Sequence, residues 1–199
     1  MSTRDMILEI AFRGFLEEGF EKISLNELIK RTGLTKGAFY YHFESKDELL
    51  REILQKYFHA YIEQNINMLI DFEGSVAEKV NFSIKSITNV QERIKELCSQ
   101  NIDPKAFLML FYEGLKRDEQ LREHNQHYQK KALASITDLM EQGQASGEIR
   151  QDISAKQLAN LFQACIRGSM FDWVIMDKDR SKKVLRENLQ TLLKTIMVE

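Results

Sequence analysis

Residues 24–43 read Ser24-Leu25-Asn26-Glu27-Leu28-Ile29-Lys30-Arg31-Thr32-Gly33-Leu34-Thr35-Lys36-Gly37-Ala38-Phe39-Tyr40-Tyr41-His42-Phe43, and the fold turns on how this stretch is parsed. Ser24 and Thr35 carry side chains that accept from the free amides of a starting helix, so each predicts an N-cap. Gly33 stands between them and supplies the left-handed backbone on which a helix stops and the chain reverses. The segment is thus two short helices, one through Arg31 with Leu25, Leu28 and Ile29 turned inward, and one through about Phe43. Two capped helices joined at a glycine have the proportions of a helix-turn-helix. Leu28, Leu34, Phe39 and Phe43 are placed to pack the pair together.

The second helix begins with Thr35, Lys36 and Gly37 in an exposed leading turn. Small Gly37 and Ala38 would let that end come close to base edges in a major groove. Tyr40, Tyr41 and His42 offer donors at the groove wall. Positions 39–43 wrap around more than one helical face, so Tyr41 and His42 are not expected in the interior with Phe39 and Phe43. Lys46 opens the next helix, where unpaired backbone amides already favour a phosphate.

The rest of the chain also reads as helix. Ile7, Ile10, Ala11, Gly14 and Phe15 share one face of a helix from about Thr3 to Glu18, ended by Gly19. Ser45-Lys46-Asp47-Glu48 has the form of a capping box. It opens a long helix carrying Leu50, Leu54, Tyr57, Tyr61 and Met68. Val76, Val80, Ile84, Ile87, Ile94 and Leu97 trace a fifth helix. Asp103-Pro104 is a start signal for a sixth, because proline lacks the amide that a first helical residue leaves unused. Further helices are expected over about 119–142, 154–176 and 181–198. No segment alternates as a strand. The expected fold is all-α, about nine helices, with a helix-turn-helix domain over 1–47 and a larger helical domain over 48–199.

Composition narrows the function. The chain has 199 residues with a net charge of −2, and residues 1–50 hold seven basic against nine acidic side chains. A protein that coats DNA regardless of sequence would be far more basic. Any DNA contact here depends on a few cations gathered on one face. Cys98 and Cys165 stand far apart, which excludes a disulfide framework and suits a reducing, cytoplasmic setting. The longest apolar run, Ala106 to Tyr112, is too short to span a bilayer. No phosphate loop or nucleophile elbow is present, so neither a cofactor nor an enzyme activity is expected. His124 and His127, with Glu119 and Glu123, are the one metal-like grouping, but no second helix repeats their spacing. A helical-bundle metal enzyme is the weakest alternative.

Gly19-Phe20, Ser24, the run Leu28–Phe43 and Lys46-Asp47-Glu48-Leu49-Leu50 together resemble the N-terminal signature of the TetR family, over about residues 5–50. Lys30 departs from it, standing where a small residue is common. The resemblance implies a homodimeric bacterial regulator, usually a repressor, that leaves a double-stranded operator when a small-molecule effector binds. It implies that Lys36, Gly37 and Tyr41 meet bases or the adjoining backbone. It implies that Ser24, Thr35, Tyr40, His42 and Lys46 hold phosphates. Gly147-Glu148-Ile149-Arg150-Gln151-Asp152 and the helix after it are similar to the C-terminal halves of many members.

In that family the last two helices pair with those of a second subunit. Leu185, Leu189, Leu192 and Ile196 on one helix, and Leu158, Leu161, Phe162 and Cys165 with small Gly168 and Ser169 on the other, are the candidate interface. Both stripes could instead pack within one subunit. Phe107, Phe111, Tyr112, His127, Tyr128, Phe162, Met170 and Trp173 are candidates to line an effector pocket suited to an apolar or planar molecule. Glu113 could meet a cationic one. A DNA-binding dimer without any effector is the remaining alternative.

Overall fold

The computed structural model describes residues 2–89, 103–175 and 178–198, with the backbone alone for residues 88, 104, 173 and 178–181. Ile94, Leu97, Cys98, Met176 and the Trp173 side chain therefore lie outside the described residues. Nine helices and no strand occur among those described. They are α1 (Thr3–Glu18), α2 (Leu25–Thr32), α3 (Lys36–Tyr40), α4, α5 (Val76–Thr88), α6 (Pro104–Arg117), α7 (Glu119–Ser146), α8 (Ala155–Ile175) and α9 (Lys178–Ile196). Helix α4 runs through Lys46–Ile53, a π-helical turn at Leu54–His59 and Ala60–Asp71.

The caps form largely where the side chains ask for them. The hydroxyls of Ser24, Thr35 and Ser45 accept from the amides of Glu27, Ala38 and Glu48. Gly33 ends α2 in the left-handed region, with φ +70°. The box expected at Ser45 is only half made, because the Glu48 carboxylate takes the amide of Glu44 instead of that of Ser45. A complete box occurs at Ser75 and Glu78.

Contacts group the chain into two units. The first holds Met1–Tyr61 with Ile94–Asn125. Its interior is built on Phe12, Ile23, Leu28, Phe39, Phe43, Leu49, Leu50, Ile53 and Leu54, all essentially without solvent contact. Phe12 stacks on Tyr57 at 4.6 Å and meets Phe107 edge-on at 6.0 Å. Helix α6 lies along α4 in antiparallel register: Phe111 stacks on Phe58, Gly114 faces Leu54, and Asp118 just beyond α6 pairs with Arg51. A methyl at Gly114 would collide with the Leu54 side chain and come within 3.1 Å of Leu121 Cδ1.

The second unit holds Ile62–Arg93 with Gln126–Glu199. Its core includes Val76, Val80, Leu139, Met140, Ile149, Ala159, Leu158, Phe162, Leu185, Leu189, Leu193 and Ile196. The 147–150 turn is tied to the chain end. Arg150 N donates to Ile196 O and Val198 N to Glu148 O, each at 2.9 Å. Of the candidate interface residues, Leu158, Phe162, Leu185, Leu189 and Ile196 are buried within this chain. Leu161, Cys165 and Leu192 keep partial or full exposure. Leu161 is joined on the outer face of α8 by exposed Gly168, Phe171 and Ile175.

Filling the crossing of α6 and α4 should cost stability. Gly114→Val is expected to lower unfolding free energy by about 1–3 kcal/mol through overpacking. Urea denaturation checks this: an unchanged midpoint would show that the glycine is not needed for the close approach.

Candidate nucleic-acid interface

Helix α3 buries Phe39 and, just past its end, Phe43, while the opposite side is open. Thr35, Lys36, Gly37 and Ala38 are all exposed. Tyr41 is 86% exposed, and Tyr40 is exposed as well. A Cβ built on Gly37 would meet nothing within 4 Å, so folding does not require glycine there. His42 is half-buried, with its ring 5.1 Å from that of Tyr41.

Two cations hold this helix from either side. The Arg4 guanidinium lies 4.2 Å from the centre of the Phe43 ring, donates to the His42 carbonyl at 2.5 Å and pairs with Glu52. Lys46 Nζ lies 4.4 Å from the Phe20 ring centre and donates to the carbonyls of Phe20 at 2.6 Å and Ile23 at 3.1 Å. Lys46 is the side chain expected to hold a phosphate. Two of the three N–H groups of its ammonium are directed at the loop before α2. Sequence reasoning missed Arg4 altogether, because no local spacing marks a contact across 38 residues.

Other charges are also occupied. Arg31 pairs with Glu18 and Glu27, which raise its pKa further. Among the described residues, Lys22, Lys30 and Lys36 are exposed and in no ion pair. They are the basic side chains near α2 and α3 whose charge is uncommitted.

The candidate effector residues divide between the units. Phe107 and Phe111 are buried in the aromatic core of the first, and Tyr112 is partly exposed beside them. His127, Tyr128, Phe162 and Met170 belong to the second, where Phe162 is buried, His127 exposed, and Tyr128 and Met170 half-buried. Glu113 pairs with Arg117, which removes it as a free charge for a cation. Among the described residues, no three His, Cys, Asp or Glu side chains gather as metal ligands. His124 instead meets Gln55 through Nδ1 at 3.4 Å and faces the His59 ring at 6.0 Å.

Two family models match separate stretches of the chain. Residues 7–53 match the family model described as bacterial regulatory proteins, tetR family. Residues 106–189 match one described as the tetracyclin repressor-like C-terminal domain. The chain is 33% identical over 94 residues to the HTH-type transcriptional regulator AcrR of Shigella flexneri, covering 46% of this chain and 44% of that protein. That alignment spans less than half of the relative's length. It is 23% identical over 186 residues to the regulator SrpR of Pseudomonas putida, covering 92% and 80%. Among solved structures, a putative transcriptional regulator from Saccharomonospora viridis in complex with choline has the same fold, at TM-score 0.74 and 19% identity over 98% of this chain and 97% of that one.

His59 gives a pH test of the unit beneath the interface. Burial first, and the nearby His124 second, hold its pKa down to about 4, against an unfolded value of about 6.5. Below 6.5 the unfolded chain takes the proton first, so the stability this neutral imidazole carries declines as pH falls and is fully lost below about 4. The urea midpoint should fall between pH 7 and 5, and His59→Leu should flatten that slope. Parallel pH profiles for both proteins would refute the assignment.

Proposed function

Because the chain belongs to the TetR family of bacterial regulatory proteins, we propose that it is a ligand-responsive repressor that binds a pseudo-palindromic operator as a homodimer. The observation that carries the reading is the open leading turn of α3. Gly37 has empty space where a side chain would stand, Lys36 is uncommitted, and Tyr41 projects almost entirely into solvent. A helix end without side-chain bulk admits a base edge, and the flanking lysine and tyrosine supply donors.

Lys36, Gly37 and Tyr41 are assigned to bases or the backbone beside them. Ser24, Thr35, Tyr40 and His42 are assigned to phosphates. The hydroxyl oxygens of Ser24 and Thr35 accept the capping bonds, which leaves each O–H free to donate outward. Lys46 has one N–H left for a phosphate. A two-fold dimer would set its recognition helices about 34–36 Å apart or a multiple of that.

The dimer surface is best supported by the outer stripe of α8, where Leu161, Cys165, Gly168, Phe171 and Ile175 recur every three or four residues with Leu192 of α9. An exposed apolar stripe with a glycine in it suits close helix packing against a second copy. The effector is taken as a small, largely apolar or aromatic molecule. The S. viridis neighbour holds a cation, but Glu113 is occupied here. A dimer with no effector draws support from Phe111, closed on Phe58 at 3.5 Å between ring centres.

Three variants test the reading. Gly37→Ala should leave folding stability intact, since nothing opposes the methyl, yet weaken binding to duplexes selected from genomic DNA. Lys36→Ala should blur one position of each half-site at about 1–3 kcal/mol. Equal retention of every duplex by the wild type and both variants would remove the interface from α3. Phe171→Glu should convert a dimer into a monomer in sedimentation equilibrium, and a dimer that survives it would exclude the α8 stripe.

A further inference from the structure

The corner between α6 and α7 carries two residues of opposite charge, Arg117 and Asp118, and each reaches toward the helices that present α3. Arg117 pairs with Glu21 in the loop before α2, lies 3.7 Å from Asp47 in the first turn of α4, and stands over the Phe20 ring at 4.9 Å. Phe20 is therefore flanked by two cations, since Lys46 stands over the same ring. Asp118 pairs with Arg51, one turn further along α4, and accepts the amide of Leu121 at 3.1 Å, capping α7.

The two bridges differ in setting. The Asp118 carboxylate is 10% exposed. Burial alone would raise its pKa, but the Arg51 guanidinium and the amides of Leu121 and Gln120 outweigh that and hold it below the usual carboxylate range. A charge kept ionised in a nearly closed site stays with its partner, because leaving it would strand it there. Glu21 and Asp47 are more exposed, so Arg117 fixes direction more than it adds energy.

We propose that this corner is a charge joint, in which Arg117 with Glu21 and Asp47, and Asp118 with Arg51, set the pose of α2 and α3 for operator binding without touching DNA. The loop at 19–24 launches α2, and the first turns of α4 receive the chain from α3. The corner grips both ends of the reading unit and leaves its outer face clear. These are positioning residues, and the assignment rests on the DNA-binding reading of α3.

The test compares operator affinity for three variants at a temperature where circular dichroism shows each to be folded. Arg117→Gln and Arg51→Gln make this end of the molecule one charge more negative, whereas Asp118→Asn makes it one charge more positive. Direct attraction to the phosphate polyanion would move the affinities in opposite directions. A joint requires all three to weaken binding, by about tenfold, and requires the exchanged pair Arg51→Asp with Asp118→Arg to recover most of the loss. Opposite shifts, or affinities within twofold of wild type despite lower melting temperatures, would overturn the joint and leave the DNA-binding reading standing. A wild-type chain that retains no duplex at low salt would defeat both.

Discussion

Helix α3 has five residues, too few for a helix to persist on its own, since the first turn fixes three residues for a single hydrogen bond. Its shape must come from what grips it. Phe39 and Phe43 anchor one side in the core. Arg4 fastens the exit by holding the His42 carbonyl and covering the Phe43 ring. Lys46 fastens the region around it by drawing the Phe20 and Ile23 carbonyls toward the start of α4. A helix held from behind can leave its whole front face bare, and bareness is what a reading surface needs.

That arrangement explains how an acidic chain can serve a polyanion. Arg4, Arg31 and Lys46 are committed to internal partners, and the uncommitted cations near α3 are Lys22, Lys30 and Lys36. With so little free charge, non-specific affinity should be modest and salt-sensitive contacts few. Discrimination then falls to the shape of the leading turn and to its donors. Bulk charge carried no sign of this, because it counts cations regardless of whether a carboxylate already holds them.

Local features were legible in the sequence and distant ones were not. Ser24, Thr35, Gly33 and Asp103-Pro104 act on neighbours within four residues, so their type alone fixed caps and breaks. The assignment of faces on α8 and α9 was harder. Leu158 and Phe162 point inward while Leu161 and Cys165 sit further out, although all four are apolar and lie within two turns of one helix. An apolar stripe specifies burial but not whether the covering surface belongs to the same subunit. On α9 the buried row runs through Leu193 instead of Leu192, a shift of one residue that spacing alone did not resolve. Arg117 with Glu21, and Arg51 with Asp118, join residues far apart in sequence and leave no local trace.

The register of α6 against α4 shows why such distant pairs matter. Phe111, Gly114 and Asp118 step by three and four residues, and their partners Phe58, Leu54 and Arg51 step back by four and three. One stacked pair, one close approach and one ion pair thus lie along a single seam. Aromatic stacking and the glycine crossing tolerate little sliding, because close-packed surfaces respond to displacement by clashing or opening gaps. The ion pair adds a constraint of its own, because the Asp118 carboxylate, 10% exposed, stays with its partner. Arg51 lies one turn beyond Asp47 in the first turns of α4, so the seam ends where the chain arrives from α3.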